Sequence, residues 1–133
     1  MGRLHEVNQN NKALYLLRIG SHKIFNGLAK YGVHPRKSLT IELPEIPKRY
    51  IGNFVRGYFD GDGCIYLEKT KTKSIKCMRS IFSSGSKKFL SELANLLAYH
   101  YQFTQKKIYK GQRSYQLRYN TRDSIKLFFI NVW

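Results

Sequence analysis

The chain is poor in acidic residues. Its 133 residues contain 8 Asp+Glu against 24 Lys+Arg, which gives a formal net charge of +16. Because a compact domain with so much like charge repels itself, we expect a polyanion to be its usual partner. Nucleic acid, above all double-stranded DNA, is the leading candidate, and an anionic membrane surface is the alternative.

Long apolar runs and cysteines are also scarce, which excludes further classes of protein. No stretch reaches the roughly 18 consecutive apolar residues of a membrane span, and the polar residues 1–12 lack the apolar segment of a signal peptide. We therefore expect no membrane-spanning segment, DNA rather than a membrane as the partner, and a location in the cytoplasm or an organellar matrix rather than secretion. Cys64 and Cys77 are too few for a disulfide framework and lack zinc-ligand spacing, so we interpret them as reduced thiols.

The hydrophobic and aromatic content of the chain is sufficient for one folded domain. A hydrophobic fraction of 42% and an aromatic fraction of 14% indicate a core rather than disorder. Hydrophobic periodicity and turn residues predict an α+β chain in which residues 1–11 are a flexible lead-in. The predicted strands cover residues 13–19, 38–43, 64–70, 74–83, 104–109 and 114–119, and the predicted helices cover residues 22–31, 47–61, 86–100 and 122–132.

Residues 54–63 form an apolar helical face that ends in two carboxylates, each followed by glycine. Asp60 and Asp62 lie at the predicted C-terminus of this helix, where the helix dipole favours cations. Helix stability therefore does not explain them, and a divalent cation is the simplest candidate. The alternatives are a plain turn or the start of a calcium loop, although Cys64 and Lys71 stand where such a loop needs oxygen ligands.

Residues 55–63, VRGYFDGDG, resemble the LAGLIDADG motif of homing endonucleases position for position. Residues 37–39, 44–47 and 64–65 are also similar to the bacterial, phage and organellar branch of that family. The resemblance implies a helix, hairpin, helix, hairpin, helix order with an antiparallel saddle sheet that binds DNA. It also implies a site-specific endonuclease of intron or intein mobility, which hydrolyses both strands of a long pseudo-palindromic site with Mg²⁺ or another divalent cation.

The resemblance assigns roles to the residues of the motif. Asp62, the last acid, would be catalytic and would hold the metal together with Gly61, whereas Asp60 would support the local fold. Gly57 and Gly61 would let two motif helices approach closely. Family members often place a basic side chain near the active centre, and Lys107 and Arg118 are the candidates here.

The predicted strands also offer side chains for DNA contact. A two-stranded ribbon fits the major groove, where polar side chains meet base edges, whereas lysines at its turn contact phosphates. We place seven side chains on one face of the first hairpin, although plain solvation would explain such a face as well: Tyr66, Glu68, Thr70, Thr72, Lys76, Met78 and Ser80. The predicted DNA contacts are Tyr66, Glu68, Lys69, Thr70, Lys71, Thr72, Lys73, Lys76, Ser80, Lys106, Arg113, Gln116 and Arg118.

The chain has one motif where a complete site of this family needs two. Residues 20–29 match residues 85–94 at five of ten positions, so we expect residues 1–46 to be a partial first repeat without its motif and residues 47–133 to be a complete repeat. The alternative is that two capped amphipathic helices simply look alike. The site would be completed by homodimerisation through helix 47–61 or by a missing first repeat. The alternative function is non-cleaving DNA or RNA binding, as a regulator or intron maturase, or an inactive fragment.

Overall fold

The computed structural model describes residues 3–9, 12–33, 35 and 37–130, and the chain divides into two compact units, Met1–His34 and Pro35–Trp133. Each unit is described by itself. The predicted division between residues 46 and 47 stays a prediction. Among the described residues, none of the helices has the length and apolar composition that crossing a membrane requires.

In the first unit, an antiparallel hairpin precedes one helix. Strand β1 (Arg3–Gln9) pairs with β2 (Lys12–Arg18), and α1 spans His22–Ala29. The predicted flexible lead-in is therefore wrong for residues 3–9, because the second strand needs a partner for its backbone groups and β1 supplies it. Residues 1, 2, 10 and 11 lie outside the described residues.

Helix α1 begins at a serine cap and exposes its apolar face. The Ser21 hydroxyl accepts a hydrogen bond from the Ile24 N–H at 3.3 Å. Ile24, Phe25 and Leu28 are 51%, 56% and 47% exposed. The first unit therefore does not bury the side chains that its helical periodicity places on one face.

The second unit packs three helices against one face of a four-stranded antiparallel sheet of order β3-β4-β6-β5. Its elements in chain order are α2 (Ile51–Asp62), β3 (Gly63–Lys69), β4 (Ile75–Ser84), α3 (Lys87–Tyr101), β5 (Ile108–Lys110), β6 (Tyr115–Tyr119) and α4 (Thr121–Phe129). The α+β class and the helix, hairpin, helix, hairpin, helix order are thus confirmed.

The core of the second unit lies between α3 and the sheet. Leu90, Leu93 and Leu97 recur at helical spacing, are fully buried and form one apolar cluster with Phe82 of β4. The Ser86 hydroxyl caps α3 by accepting from the Phe89 N–H at 3.2 Å. Both helices of the matched ten-residue segments therefore follow a hairpin and begin at the same kind of serine cap.

The predicted strand over residues 38–43 is wrong. Residues 37–39 form a short 3-10 turn, and Ile41 and Leu43 pack against the core from an extended loop. The Leu43 N–H donates to Glu92 Oε2 of α3 at 2.8 Å instead of to a strand. The alternation of apolar residues reflects alternate burial of a loop that lies against α3.

Two predicted elements have the right type but begin well after their predicted first residues, and the predicted last two residues of the final helix, 131 and 132, lie outside the described residues. Helix α2 begins at Ile51, after a 3-10 turn over Lys48–Tyr50, rather than at Pro47. Strand β5 is limited to Ile108–Lys110, whereas the sequence predicts a strand over residues 104–109. Both differences lie at element ends, where local sequence signals are weakest.

Candidate metal and nucleic-acid site

The end of α2 is determined by Gly63. This residue is extended, with φ −90° and ψ 163°, and its N–H donates to the Phe59 carbonyl. A Cβ on Gly63 would collide with both the ring and the carbonyl of Phe59. Glycine therefore allows β3 to start directly after the helix, and the last helical residue, Asp62, lies exposed at this junction.

Asp62 lines a cleft of about 430 Å³. The other lining residues are mostly small and hydroxyl-bearing: Ser38, Ile41, Tyr58, Ser83, Ser84, Gly85 and Ser114. The Tyr58 hydroxyl donates to the Ser83 carbonyl at 2.5 Å. Burial raises the pKa of Tyr58 to about 12, Ser84 opposes this shift, and the negative charge of Asp62 adds to it. Tyr58 is therefore neutral at physiological pH and forms a fixed wall of the cleft.

The two acids at the helix end have different surroundings. Asp60 forms an i,i+4 ion pair with Arg56, with Nε and Oδ2 3.6 Å apart and the side chains 67% and 69% exposed. Such exposed pairs contribute only about 0.3–0.5 kcal/mol. Asp60 also lines a separate apolar pocket that includes Phe59 and Phe128. Asp62, by contrast, faces its cleft without an ion-pair partner among the described residues.

The donor atoms at the end of α2 fit one half of a Mg²⁺ site. The Asp62 carboxylate lies at the negative end of the helix dipole, where last-turn carbonyls such as that of Gly61 lack a helical partner. Mg²⁺ prefers such oxygen donors and usually takes one or two carboxylates and several waters. In the described part of the chain, no three His, Cys, Asp or Glu side chains form a metal-binding group. One copy thus contributes a single carboxylate.

One side of α2 is open. Asn53, Gly57 and Gly61 recur at i, i+4 and i+8 and are exposed. A Cβ added to either glycine would meet nothing within 4 Å. The opposite side is buried, with Ile51 and Val55 only 2% and 1% exposed. This glycine stripe (Asn53, Gly57 and Gly61) leaves room for another helix to approach closely.

The face of the sheet away from the helices, here called the open face, is basic. The strand register pairs Tyr66 of β3 with Arg79 of β4, and Ile81 of β4 with Arg118 of β6. Because paired residues project to the same side and side chains alternate along a strand, these four residues share the open face.

This register shows that the predicted orientation of β4 is wrong. Met78 and Ser80 pair with Leu67 and Ile65 on the face that the helices cover. Ser80 is 1% exposed, and its N–H and hydroxyl lie 2.8 and 2.9 Å from the Ser124 hydroxyl of α4. The predicted DNA contact at Ser80 is therefore buried.

Arg79 is the open-face residue that sequence reasoning missed. The pairing changes register at a bulge between Glu68 and Lys69. Alternation within one strand does not reveal this bulge, so the poor periodicity of β4 was the only available signal.

Arg118 is held on the open face by its neighbours. Its Nε and Nη2 donate to Gln116 Oε1 at 3.1 and 2.7 Å, and its guanidinium lies 5.1 Å from the centroid of the Tyr109 ring. Lys107, just before β5, is exposed. Among the described residues, neither Arg118 nor Lys107 is bonded to Asp62, and two strand spacings, about 10 Å, separate β6 from β3. Their catalytic roles stay predictions.

The remaining predicted DNA contacts lie along the two hairpins. The exposed residues are Lys69, Thr70, Lys71, Thr72, Lys73, Lys76 and Arg113, and the half-buried ones are Glu68, Lys106 and Gln116. Strand β3 is about 20 Å long, since strands rise about 3.3 Å per residue, and the tip of the first hairpin lies beyond the end of β3 that is far from Asp62. The positive charge therefore extends along the sheet and is not gathered at the carboxylate.

Comparison with known proteins agrees with this geometry. The model of the "LAGLIDADG-like domain" family matches residues 49–132. The chain is 34% identical over 119 residues, 85% of its length, to a "Probable translation initiation factor IF-2" of Methanocaldococcus jannaschii, of which it covers 9%. It is 34% identical over 95 residues, 68% of its length, to a protein of the same name from Thermococcus kodakarensis, of which it covers 7%. The chain thus spans less than a tenth of the length of these relatives.

Proposed function

The chain belongs to the LAGLIDADG-like family, and from this premise we propose that it is a site-specific DNA endonuclease of the homing type. It would hydrolyse both strands of a long, pseudo-palindromic DNA site. The observation that carries the proposal is the position of Asp62. This exposed carboxylate ends α2, beside the glycine stripe and at one end of the basic sheet.

Charge and shape support DNA as the substrate. The net charge of +16 supplies the long-range attraction that a polyanion requires. A two-stranded ribbon has the width of the major groove, and the open face presents Arg79 and Arg118 to it. The lysines at 69, 71 and 73 would contact phosphates and orient the protein without reading sequence.

Within the site, Asp62 would hold a divalent cation together with the Gly61 carbonyl. When bound, Mg²⁺ supplies an activated water and stabilisation of the leaving oxygen. Asp62 would also fix the distance between this cation and the DNA backbone, since it ends a helix whose buried side is anchored by Ile51 and Val55. Tyr58, bonded to the Ser83 carbonyl, keeps the adjacent wall neutral and leaves Asp62 as the charged group of the cleft.

Cutting both strands requires a second carboxylate, because one copy contributes only Asp62. The glycine stripe is the surface through which a second motif helix would pack, either from a homodimer or from another repeat. The absence of atoms within 4 Å of a Cβ at Gly57 or Gly61 supports this role. Small residues at a helix contact let two backbones approach closely.

The matched relatives bear on the biological setting. They carry the name of a translation initiation factor, and this chain corresponds to less than a tenth of each. A DNA-cleaving scaffold that forms so small a part of a protein with another named role is typical of a mobile element within its host. We therefore propose intron or intein mobility as the setting.

The alternative is DNA or RNA binding without cleavage on the same scaffold, as in a regulator or an intron maturase. The observation that favours it is the single motif, because residues 55–63 supply one motif helix where cleavage of both strands needs two. A wild-type protein that selects a duplex and leaves it intact in Mg²⁺ would establish this alternative.

The test is cleavage of duplexes from a random-sequence library in Mg²⁺ by the wild-type chain, Asp62→Asn and Asp60→Asn. We expect wild type to enrich one family of cut sites and Asp62→Asn to bind those sites without cutting them. Asp60→Asn is the matched control, because it removes the same charge two residues away and loses only the exposed pair with Arg56. Undiminished cutting by Asp62→Asn would overturn the assignment.

A further inference from the structure

Glu68 gathers three hydrogen-bond donors on the open face. Lys76 Nζ donates to Glu68 Oε1 at 3.1 Å, and Arg79 Nη2 donates to Oε2 at 2.9 Å. The Cys77 thiol donates to the same Oε2 at 3.1 Å. Both carboxylate oxygens are therefore engaged from β4, the strand that pairs with that of Glu68.

This arrangement makes Glu68 a poor contact for DNA. Hydrogen bonds from Cys77 and Lys76, together with the positive charges of Lys76 and Arg79, hold the pKa of Glu68 below its usual range, so it is ionised at neutral pH. An ionised carboxylate that faced the duplex directly would be repelled by the phosphates. Because Lys76 and Arg79 both pair with it, the cluster has a net charge of about +1, counted from ordinary ionisation.

Arg79, in contrast, keeps most of its hydrogen-bonding capacity. A guanidinium has five N–H donors in a rigid plane, and the contact with Glu68 uses one of them. Its side chain is 48% exposed and lies beside Tyr66, which is 54% exposed. A guanidinium held in one orientation can donate two parallel hydrogen bonds to O6 and N7 of guanine in the major groove.

We propose that Arg79 is a specificity-determining residue that reads a base edge, and that Glu68 positions it rather than contacting DNA. The proposal rests on the proposed DNA-binding function. Arg118 offers an internal comparison, because Gln116 and Tyr109 hold it with uncharged groups. Both open-face arginines are thus restrained by a neighbouring acceptor. The acceptor of Arg79 is a carboxylate that neutralises one positive charge of the cluster, whereas the acceptor of Arg118 is a neutral amide.

The test is a double-mutant cycle on DNA binding. The proteins are the full chain as wild type, Glu68→Ala, Arg79→Ala and the double variant, with Glu45→Ala as control. Glu45 is an exposed carboxylate that no hydrogen bond or ion pair holds among the described residues. Glu45→Ala therefore changes the net charge by the same amount as Glu68→Ala without removing such a contact. The probes are a duplex enriched by wild type from a random library and a shuffled duplex of the same length, without divalent cation.

We expect Arg79→Ala to lower the ratio of specific to non-specific affinity about tenfold, the size of one lost base contact. Glu68→Ala should lower this ratio by a similar factor, and the double variant should fall no further than Arg79→Ala alone. Glu45→Ala should leave the ratio unchanged. Circular dichroism and thermal unfolding check that each variant is folded, as the surface position of the cluster leads us to expect.

Two results would overturn the inference alone. If the losses in specificity ratio of the two single variants multiply in the double variant, Glu68 contacts DNA itself. If Glu68→Ala leaves the ratio unchanged, as Glu45→Ala should, Glu68 does not position Arg79. If wild type enriches no sequence from the library, the proposed function fails and this inference fails with it.

Discussion

Replacing Gly57 by alanine separates the folding of one copy from the pairing of two. Gly57 lies in the interior of α2, and the added Cβ would meet nothing within 4 Å. Because alanine costs less conformational entropy than glycine in a helix, we expect the free energy of unfolding to rise by about 0.5–1 kcal/mol. Between two packed motif helices the same methyl groups would hold the helix axes apart, so pairing and cleavage should both fall.

Urea unfolding of the dilute chain measures the change in the free energy of unfolding. In a thermal melt, a gain of 1 kcal/mol corresponds to a rise of about 4 °C in the melting midpoint of a domain of this size. Sedimentation equilibrium over a range of concentrations measures pairing, and cutting of a selected duplex measures activity. Gly63→Ala is the contrasting control, because its Cβ would collide with Phe59 and should lower stability. A loss of stability in the dilute Gly57→Ala chain, or unchanged pairing and cutting, would refute a role of the glycine stripe in helix pairing.

Two further predictions concern stability. Leu93→Ala should lower the free energy of unfolding by about 2–5 kcal/mol because Leu93 is fully buried. The matched Leu28→Ala in α1 should lower it by about 0.5 kcal/mol because Leu28 is 47% exposed. Equal losses in urea unfolding would contradict the structure. The pKa of Tyr58 is raised from 10.0 to about 12, so the unfolded chain loses this proton first and stability should fall as pH rises through that window. The stability of Tyr58→Phe should fall less steeply with pH than that of wild type. Identical slopes for the two proteins would show that burial does not raise the pKa of the Tyr58 hydroxyl.

Local sequence signals predicted the centre of the proposed site. The apolar helical face before Asp60 and the two acid–glycine pairs predicted that α2 would end there, and the structure ends it at Asp62. Ser86 and the apolar stripe after it predicted α3 in the same way. These features depend on residues within one or two helical turns, and the family match confirms the motif.

Predictions from local sequence were wrong where non-local contacts decide the structure. The loop that carries Ile41 and Leu43 alternates like a strand, yet its backbone bonds to Glu92 on α3. Strand β1 has a weak local signal and forms because β2 offers it a partner. In both cases the deciding hydrogen-bond partner lies far along the chain or on another element.

The sequence by itself determined the family, the order of elements from α2 onward, the position of Asp62 and the positive charge that suits DNA. Only the tertiary structure decided which side chains of β4 face outward. A bulge beside Glu68 shifts the strand register, which buries Ser80 under α4 and turns Arg79 to the open face. Register depends on cross-strand pairing and packing, so one residue of shift exchanges the two faces of a strand whose own composition is unchanged.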